Sequence, residues 1–204
     1  MPRPKSLSDD DIATAALAIV DRDGLAALSM RSVADELGVG TMSLYRYVSN
    51  REQLEAWIVD RVLRTVDTSL AARRGWRTRV TALMERSRDA VLAHPATIPL
   101  LLVHRASSEH STRWGEAVLR ELRDAGFSGA RRVIAFRTLL AYLIGALQLG
   151  QLSALAGDGT RELAALPADD YPVLTETARH AQRIDADAEF RQGLAVVLQG
   201  LSRG

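Results

Sequence analysis

The residues whose types and spacing could do chemistry lie close together: Thr41, Met42, Ser43, Tyr45, Arg46 and Tyr47. Leu44 and Val48 stand four apart among them, so a helix here would turn those two inward and the others outward. Hydroxyls, a thioether and a guanidinium on an outward face suit base edges, thymine methyls and phosphates. A purely structural helical hairpin would more often carry Glu, Lys and Gln there. The pattern alone leaves both readings open.

The flanking residues are those that would hold such a helix in place. Ser29 is a good N-cap, because its hydroxyl can accept a bond from an unpaired first-turn amide. Val33, Ala34 and Leu37 recur at helical spacing and should face inward. Gly38 falls where that helix should stop, Val39 can plug the corner, and Gly40 or Thr41 opens the second helix. Two short helices joined by a glycine turn form a helix-turn-helix, whose second helix enters the major groove. Upstream, Ser8 and Asp11 form a capping-box pair at the start of a first helix. Ile12, Ala15, Ala16, Ile19 and Val20 give that helix one buried face, and Gly24 ends it. Downstream, Asn50 and Gln53 suggest a second capping box, opening a fourth helix that runs to about Leu70 with Leu54, Trp57, Ile58 and Val62 inward. Arg51 would place a cation beside unpaired amides at that helix start, a local conflict that makes sense if both grip one phosphate. Arg31 suits either the groove edge or an i,i+4 pair with Asp35. Residues 1–7, carrying Arg3 and Lys5, read either as an arm along the DNA backbone or as a frayed terminus.

From Asp11 through Leu54 the chain resembles the DNA-binding domain of the TetR (tetracycline-repressor) family of bacterial transcription regulators. The resemblance rests on Asp23-Gly24-Leu25-Ala26-Ala27-Leu28-Ser29-Met30-Arg31-Ser32-Val33-Ala34, on Leu37-Gly38-Val39, and on Leu44-Tyr45-Arg46-Tyr47-Val48-Ser49-Asn50-Arg51-Glu52-Gln53-Leu54. It is closest to the tetracycline-repressor-like branch, with Tyr47 in place of the usual His and Arg51 in place of the usual Lys. The resemblance implies an all-α chain: a three-helix helix-turn-helix domain over residues 1–54, then a larger helical effector-binding and dimerisation domain over 55–204, linked by the fourth helix. It also implies that Ser29, Arg31, Thr41, Met42, Ser43, Tyr45, Arg46, Tyr47 and Arg51 meet operator DNA, and that the chain is a homodimeric repressor released by a small-molecule effector.

Composition narrows the alternatives. The chain has no cysteine, so disulfides, thiolate metal sites and cysteine nucleophiles are excluded. The histidines at 94, 104, 110 and 180 show no i,i+4 pair, and neither a metal site nor a cofactor is expected. A net charge of +1 does not advertise nucleic acid, so a DNA reading must rest on where the arginines fall. The N-terminus lacks the apolar run of a signal peptide. The apolar stretch 138–150 is interrupted by Gln148 and falls short of the roughly 18 residues of a membrane span. A soluble, cytoplasmic chain without a membrane partner is the expectation.

Beyond residue 70 the pattern stays helical. Helices are expected over Trp76–Leu92, about 96–105, Trp114–Ala125 with Ser111 as cap, about 128–155, 173–184 and 187–201, with a long loop from Gly157 to Pro172 that has room for a short helical turn at Arg161–Leu166. In the helix at 128–155, Val133, Ile134, Leu139, Leu140, Leu143, Ile144 and Leu147 cover more than one face, so its second face should meet another subunit. With the helix at 187–201 it would build the homodimer interface that the resemblance implies. Trp57, Met84, His104, His110, Trp114, Phe136, Arg137, Tyr142 and Gln148, scattered among apolar residues, are effector-pocket candidates, each of which could equally be a core or interface residue. An all-α enzyme, for which no GxSxG, P-loop or GxGxxG motif is found, and a helical scaffold using the hairpin for protein contacts are the competing functions. Salt-sensitive binding to duplex DNA separates both from a DNA reader.

Overall fold

The computed structural model describes residues 7–70, 75–151 and 158–203. Every described regular element is helical. They are α1 (Asp9–Asp23), α2 (Met30–Glu36), α3 (Thr41–Leu44), α4 (Arg51–Arg64), α5 (Trp76–Leu92), α6 (Ile98–His104), α7 (Glu109–Asp124), α8 (Gly129–Gln151), α9 (Asp158–Ala164), α10 (Pro172–Ala181) and α11 (Ala186–Arg203). Packing separates two compact units, Met1–Ser69 with Asp89–Ala117 and Leu70–Arg88 with Val118–Gly204. Residues 1–6, with Arg3 and Lys5, lie outside the described residues, as do 71–74 and 152–157.

In the first unit, α1 begins as its sequence dictates. Ser8 Oγ accepts from the Asp11 amide at 3.1 Å, while the Asp11 carboxylate accepts from the Ser8 amide at 3.0 Å. The apolar face of α1, led by Ile12, Ala16, Ile19 and Val20, is buried against α2 and α4. A 3-10 turn at Leu25–Ala27 leads into Ser29, which caps α2.

The fourth helix differs from its expected form. Asn50 Oδ1 does accept from the Gln53 amide at 2.9 Å, but Gln53 Oε1 returns to the amide of Ser49, at 2.8 Å, rather than to that of Asn50. The box is displaced by one residue. The helix also ends at Arg64 rather than near Leu70: the amides of Thr65 and Val66 bond three residues back, and Asp67 turns its carboxylate onto the Ser69 amide at 2.8 Å. β-Branched and short polar residues at 65–69 compete with the helix for its backbone bonds.

Farther along, α7 starts at Glu109 because Ser108, not Ser111, is the cap. Ser108 Oγ accepts from the Ser111 amide at 3.1 Å and donates to Asp60 Oδ1 at 2.7 Å. A tertiary acceptor for the hydroxyl decides between two serines that look equivalent locally.

The second unit has its core among α5, α7, α8 and α11, where Val80, Leu83, Leu122, Leu139 and Leu194 are buried. Arg79 and Glu121 form a largely buried ion pair at 2.6 Å. Trp76 meets Phe127 edge-on with centroids 5.4 Å apart. α8 and α11 pack closely at Gly193, where an added Cβ would lie 2.4 Å from Tyr142 Oη. That hydroxyl donates to the Phe190 carbonyl at 2.8 Å. Within the 157–172 span the helical turn expected at 161–166 starts earlier, as α9 over Asp158–Ala164, and packs on α10.

Over Gly129–Leu149, α8 is long and apolar enough to cross a membrane by length and composition. Ala135, Leu139, Leu143 and Leu147 spend one of its faces on the core, while Val133, Ile134 and Leu149 stand exposed on the other.

Candidate nucleic-acid interface

The helix-turn-helix is built from α2 and α3, and its turn is closed by the backbone. Gly38 takes φ +67°, which lets its amide reach the Asp35 carbonyl at 3.1 Å and the Val39 amide reach Ala34 at 3.0 Å. These two bonds are a Schellman motif, and the left-handed residue within it is the reason for glycine. Leu37 and Val39 are only half-buried; Val33 and Ala34 carry the inward packing of α2. Leu44 at 0 % exposure and Val48 at 1 % then pin the second helix down.

The regular part of that helix is four residues long, and turns carry the backbone on to Val48. Pinning the two apolar residues leaves Met42 82 % exposed and Tyr45 49 % exposed. Arg46 is exposed as well, while Thr41, Ser43 and Tyr47 are half-buried at the edges. Among the described residues before Val103, Met42 and Tyr45 are the only exposed large hydrophobic side chains.

The arginines divide by role. Arg22 bonds Glu36 and Asp23, each at 3.0 Å, and Arg61 and Arg64 both hold Asp10, at 2.6 and 2.8 Å. Arg31 is different: its side chain is 86 % exposed and lies 3.9 Å from Asp35, at the limit of an ion pair. Arg46 is held by Ser43 Oγ at 3.3 Å. Arg31 on α2 and Arg46 just after α3 are thus loosely held cations of the helix-turn-helix. A unit without bulk positive charge can present a basic surface in this way, because its other charges cancel locally.

Two residues expected at this surface have other duties. Ser29 Oγ accepts from the Ser32 amide at 3.0 Å, and Ser32 Oγ accepts from the Ser29 amide at 2.9 Å, so the pair caps α2. Arg51 departs further from expectation. Its Nε donates to Glu55 Oε1 at 2.7 Å, its Nη1 to the Leu28 carbonyl at 2.9 Å and its Nη2 to the Leu25 carbonyl at 3.2 Å. The conflict between a cation and the start of α4 is resolved by a carboxylate and two carbonyls of the chain itself, and no phosphate is needed to explain it.

The effector candidates separate between the units. In the first, His104 is nearly buried and its Nε2 lies 3.0 Å from Glu55 Oε2; His110 Nδ1 lies 2.9 Å from Asp60 Oδ2. Trp114 is buried, and Trp57 lines a surface recess of about 440 Å³ with Asp10, Asp60, Arg61 and Ser107. In the second, Met84 is core, Phe136 and Tyr142 are half-buried, and Arg137 and Gln148 are exposed. The histidines are thus spent on carboxylates, with His94 Nδ1 also 2.7 Å from Asp21. Among the described residues no group of three or more His, Asp or Glu side chains could hold a metal.

Glu55 and Asp60 were not evident as functional candidates, since only tertiary packing pairs them with His104 and His110. Burial pushes both carboxyls up, but hydrogen bonds from Arg51 and then His104 hold Glu55 below its ordinary range. Those from Ser108 and His110 do the same for Asp60.

A helix-turn-helix with an exposed reading face, on an all-α chain, defines the class of DNA-binding transcription regulators. Residues 12–56 match the family model for bacterial regulatory proteins of the tetR family, and residues 71–203 match the tetracyclin repressor-like C-terminal domain. The chain belongs to the TetR family. It is 31 % identical to the HTH-type transcriptional repressor DrrR1 of Streptomyces coeruleorubidus, over 98 % of this chain and 78 % of that protein. Its fold superposes on ActR of Streptomyces coelicolor, solved in complex with (S)-DNPA, with a TM-score of 0.85 and 28 % identity over 97 % of this chain and 98 % of ActR. BioQ, solved with its double-stranded DNA operator, is 27 % identical with a TM-score of 0.69, over 98 % of this chain and all of BioQ's.

Proposed function

We propose that this chain is a homodimeric repressor that reads a palindromic operator through the outward face of α3 and leaves it when a small molecule binds. The observation that carries the reading is the pairing of a pinned helix with an exposed face: Leu44 and Val48 buried, Met42 and Tyr45 outward, with Arg31 and Arg46 of the same helix-turn-helix loosely held. Thr41, Ser43 and Tyr47 complete the contact at its edges. Relatives solved with a small molecule and with operator DNA support both halves of the reading. Residues 1–54 serve as the DNA-binding domain and 55–204 as the effector-binding and dimerisation domain, with α4 as the link. The exposed Val133, Ile134 and Leu149 of α8 and Val196 of α11 supply the homodimer face. An operator reader of this kind works in the bacterial cytoplasm and carries out no chemical step.

Release follows if the effector binds better to a state in which the two reading helices no longer match the half-sites; the shift is limited by its differential affinity for the two states. The link from α6 to the head runs through His104, Glu55 and Arg51 to the carbonyls of Leu28 and Leu25, directly before the cap of α2. Selection of random duplex DNA by the full-length protein tests the proposal. A palindrome with half-sites about 34–36 Å apart, or a multiple of that, is expected. Recovery of no sequence preference at low salt would overturn it.

A further inference from the structure

The outward face of α3 carries an unusual pair for a surface. Met42 is 82 % exposed on a helix whose neighbours are fixed by the burial of Leu44 and Val48. Met42 and Tyr45, three apart along the helix, are the exposed large hydrophobics among the described residues of the head. Base edges in the major groove offer hydrogen-bond donors and acceptors at almost every position; the apolar group they offer is the C5-methyl of thymine. A methionine has no donor and only a weak acceptor, so it gains little from any other edge. Its unbranched chain adapts to the methyl without requiring one fixed approach.

We infer that Met42 is a specificity-determining residue that reads a thymine C5-methyl, so each operator half-site carries a T·A pair at the position facing the start of α3. The partner chemistry is a methyl group in the major groove, flanked by phosphates that meet Arg31 and Arg46. The inference rests on the reading of α3 as the operator-binding helix.

The test replaces each thymine of the selected operator, one symmetric pair at a time, by deoxyuridine. That change removes the methyl and leaves Watson–Crick pairing intact. Wild-type protein should lose affinity at one symmetric pair by roughly fourfold per half-site, the value of one buried methyl or methylene group. Met42→Ala should bind the thymine operator more weakly and bind the thymine and deoxyuridine duplexes equally at that pair. Met42→Leu, which keeps an apolar contact, should retain the discrimination. The side chain is exposed, so neither substitution should change the melting temperature. Specific binding with no deoxyuridine position whose effect Met42→Ala erases would overturn the inference and leave operator reading intact. Absence of any specific duplex binding would overturn operator reading itself, and the inference with it.

Discussion

Arg51 Nε donates to Glu55 Oε1 at 2.7 Å, one turn along α4, while the terminal nitrogens of the same guanidinium hold the carbonyls of Leu28 and Leu25. One side chain thereby ties the start of α4 to the turn that precedes α2. The geometry needs a planar fork with donors in fixed directions, which a lysine does not provide.

Arg51→Lys is therefore expected to lower stability by about 1 kcal/mol, and Arg51→Ala by about 1–2 kcal/mol, after discounting for the exposed half of the side chain. Removing a phosphate contact would reduce the slope of log affinity against log salt by about one. Arg51→Ala should instead leave that slope unchanged, whereas Arg46→Ala should flatten it. Filter binding across a salt series, with denaturation on the same samples, separates the two roles.

Glu55 and Asp60 give stability a dependence on pH. Both are held below the ordinary carboxylate range in the folded chain, against the opposing effect of burial. In the unfolded chain such groups protonate near about pH 4. Their contribution is complete above that value and is lost as pH falls through the lower folded values. Urea midpoints should fall as pH is lowered from about 5 to about 3, and Glu55→Gln should flatten part of that fall.

Gly193 sets the approach of α8 to α11. A Cβ there would meet Tyr142 Oη at 2.4 Å and its ring carbons at 3.2 Å. The ring is fixed by its bond to the Phe190 carbonyl and its contact with the Phe190 ring, 5.4 Å between centroids. Gly193→Ala should destabilise the chain by about 1–3 kcal/mol through overpacking. Combining it with Tyr142→Leu should recover part of the loss in a double-mutant cycle.

The turn before the reading helix depends on backbone conformation. At φ +67° an alanine in place of Gly38 is strained even though its Cβ would meet no atom. Gly38→Ala should cost about 1 kcal/mol or more and weaken operator binding, because the same turn aims α3. Calorimetric melting and operator affinity measured together check both effects.

Local signals in the chain specify the caps of α1 and α2, the glycine turn and the two buried residues of the reading helix. Ser8 and Asp11, Ser29, Gly38, Leu44 and Val48 each act within a few residues of themselves, so their roles are readable from spacing. Roles that depend on a distant partner are not readable in that way. Arg51 sits where a phosphate contact made local sense, and its acceptors at Leu25 and Leu28 are 26 and 23 residues away. Ser108 and Ser111 are alike as caps until Asp60, 48 residues earlier, selects Ser108. His104 and His110 read as polar residues scattered among apolar ones, and α4 supplies their carboxylates, Glu55 and Asp60. The second unit showed its helices and the two-sided apolarity of α8, while α9 begins three residues before the helical turn that spacing suggests at 161–166.

The outward face of α3 is tested most directly by the affinity of a Tyr45→Ala, Arg46→Ala double variant for the selected operator, measured beside Arg51→Ala. The double variant should melt like the wild type and lose specific binding, while Arg51→Ala should retain the sequence preference with reduced stability. A folded double variant that still binds the operator as tightly as the wild type would contradict the assignment of this face as the reading surface.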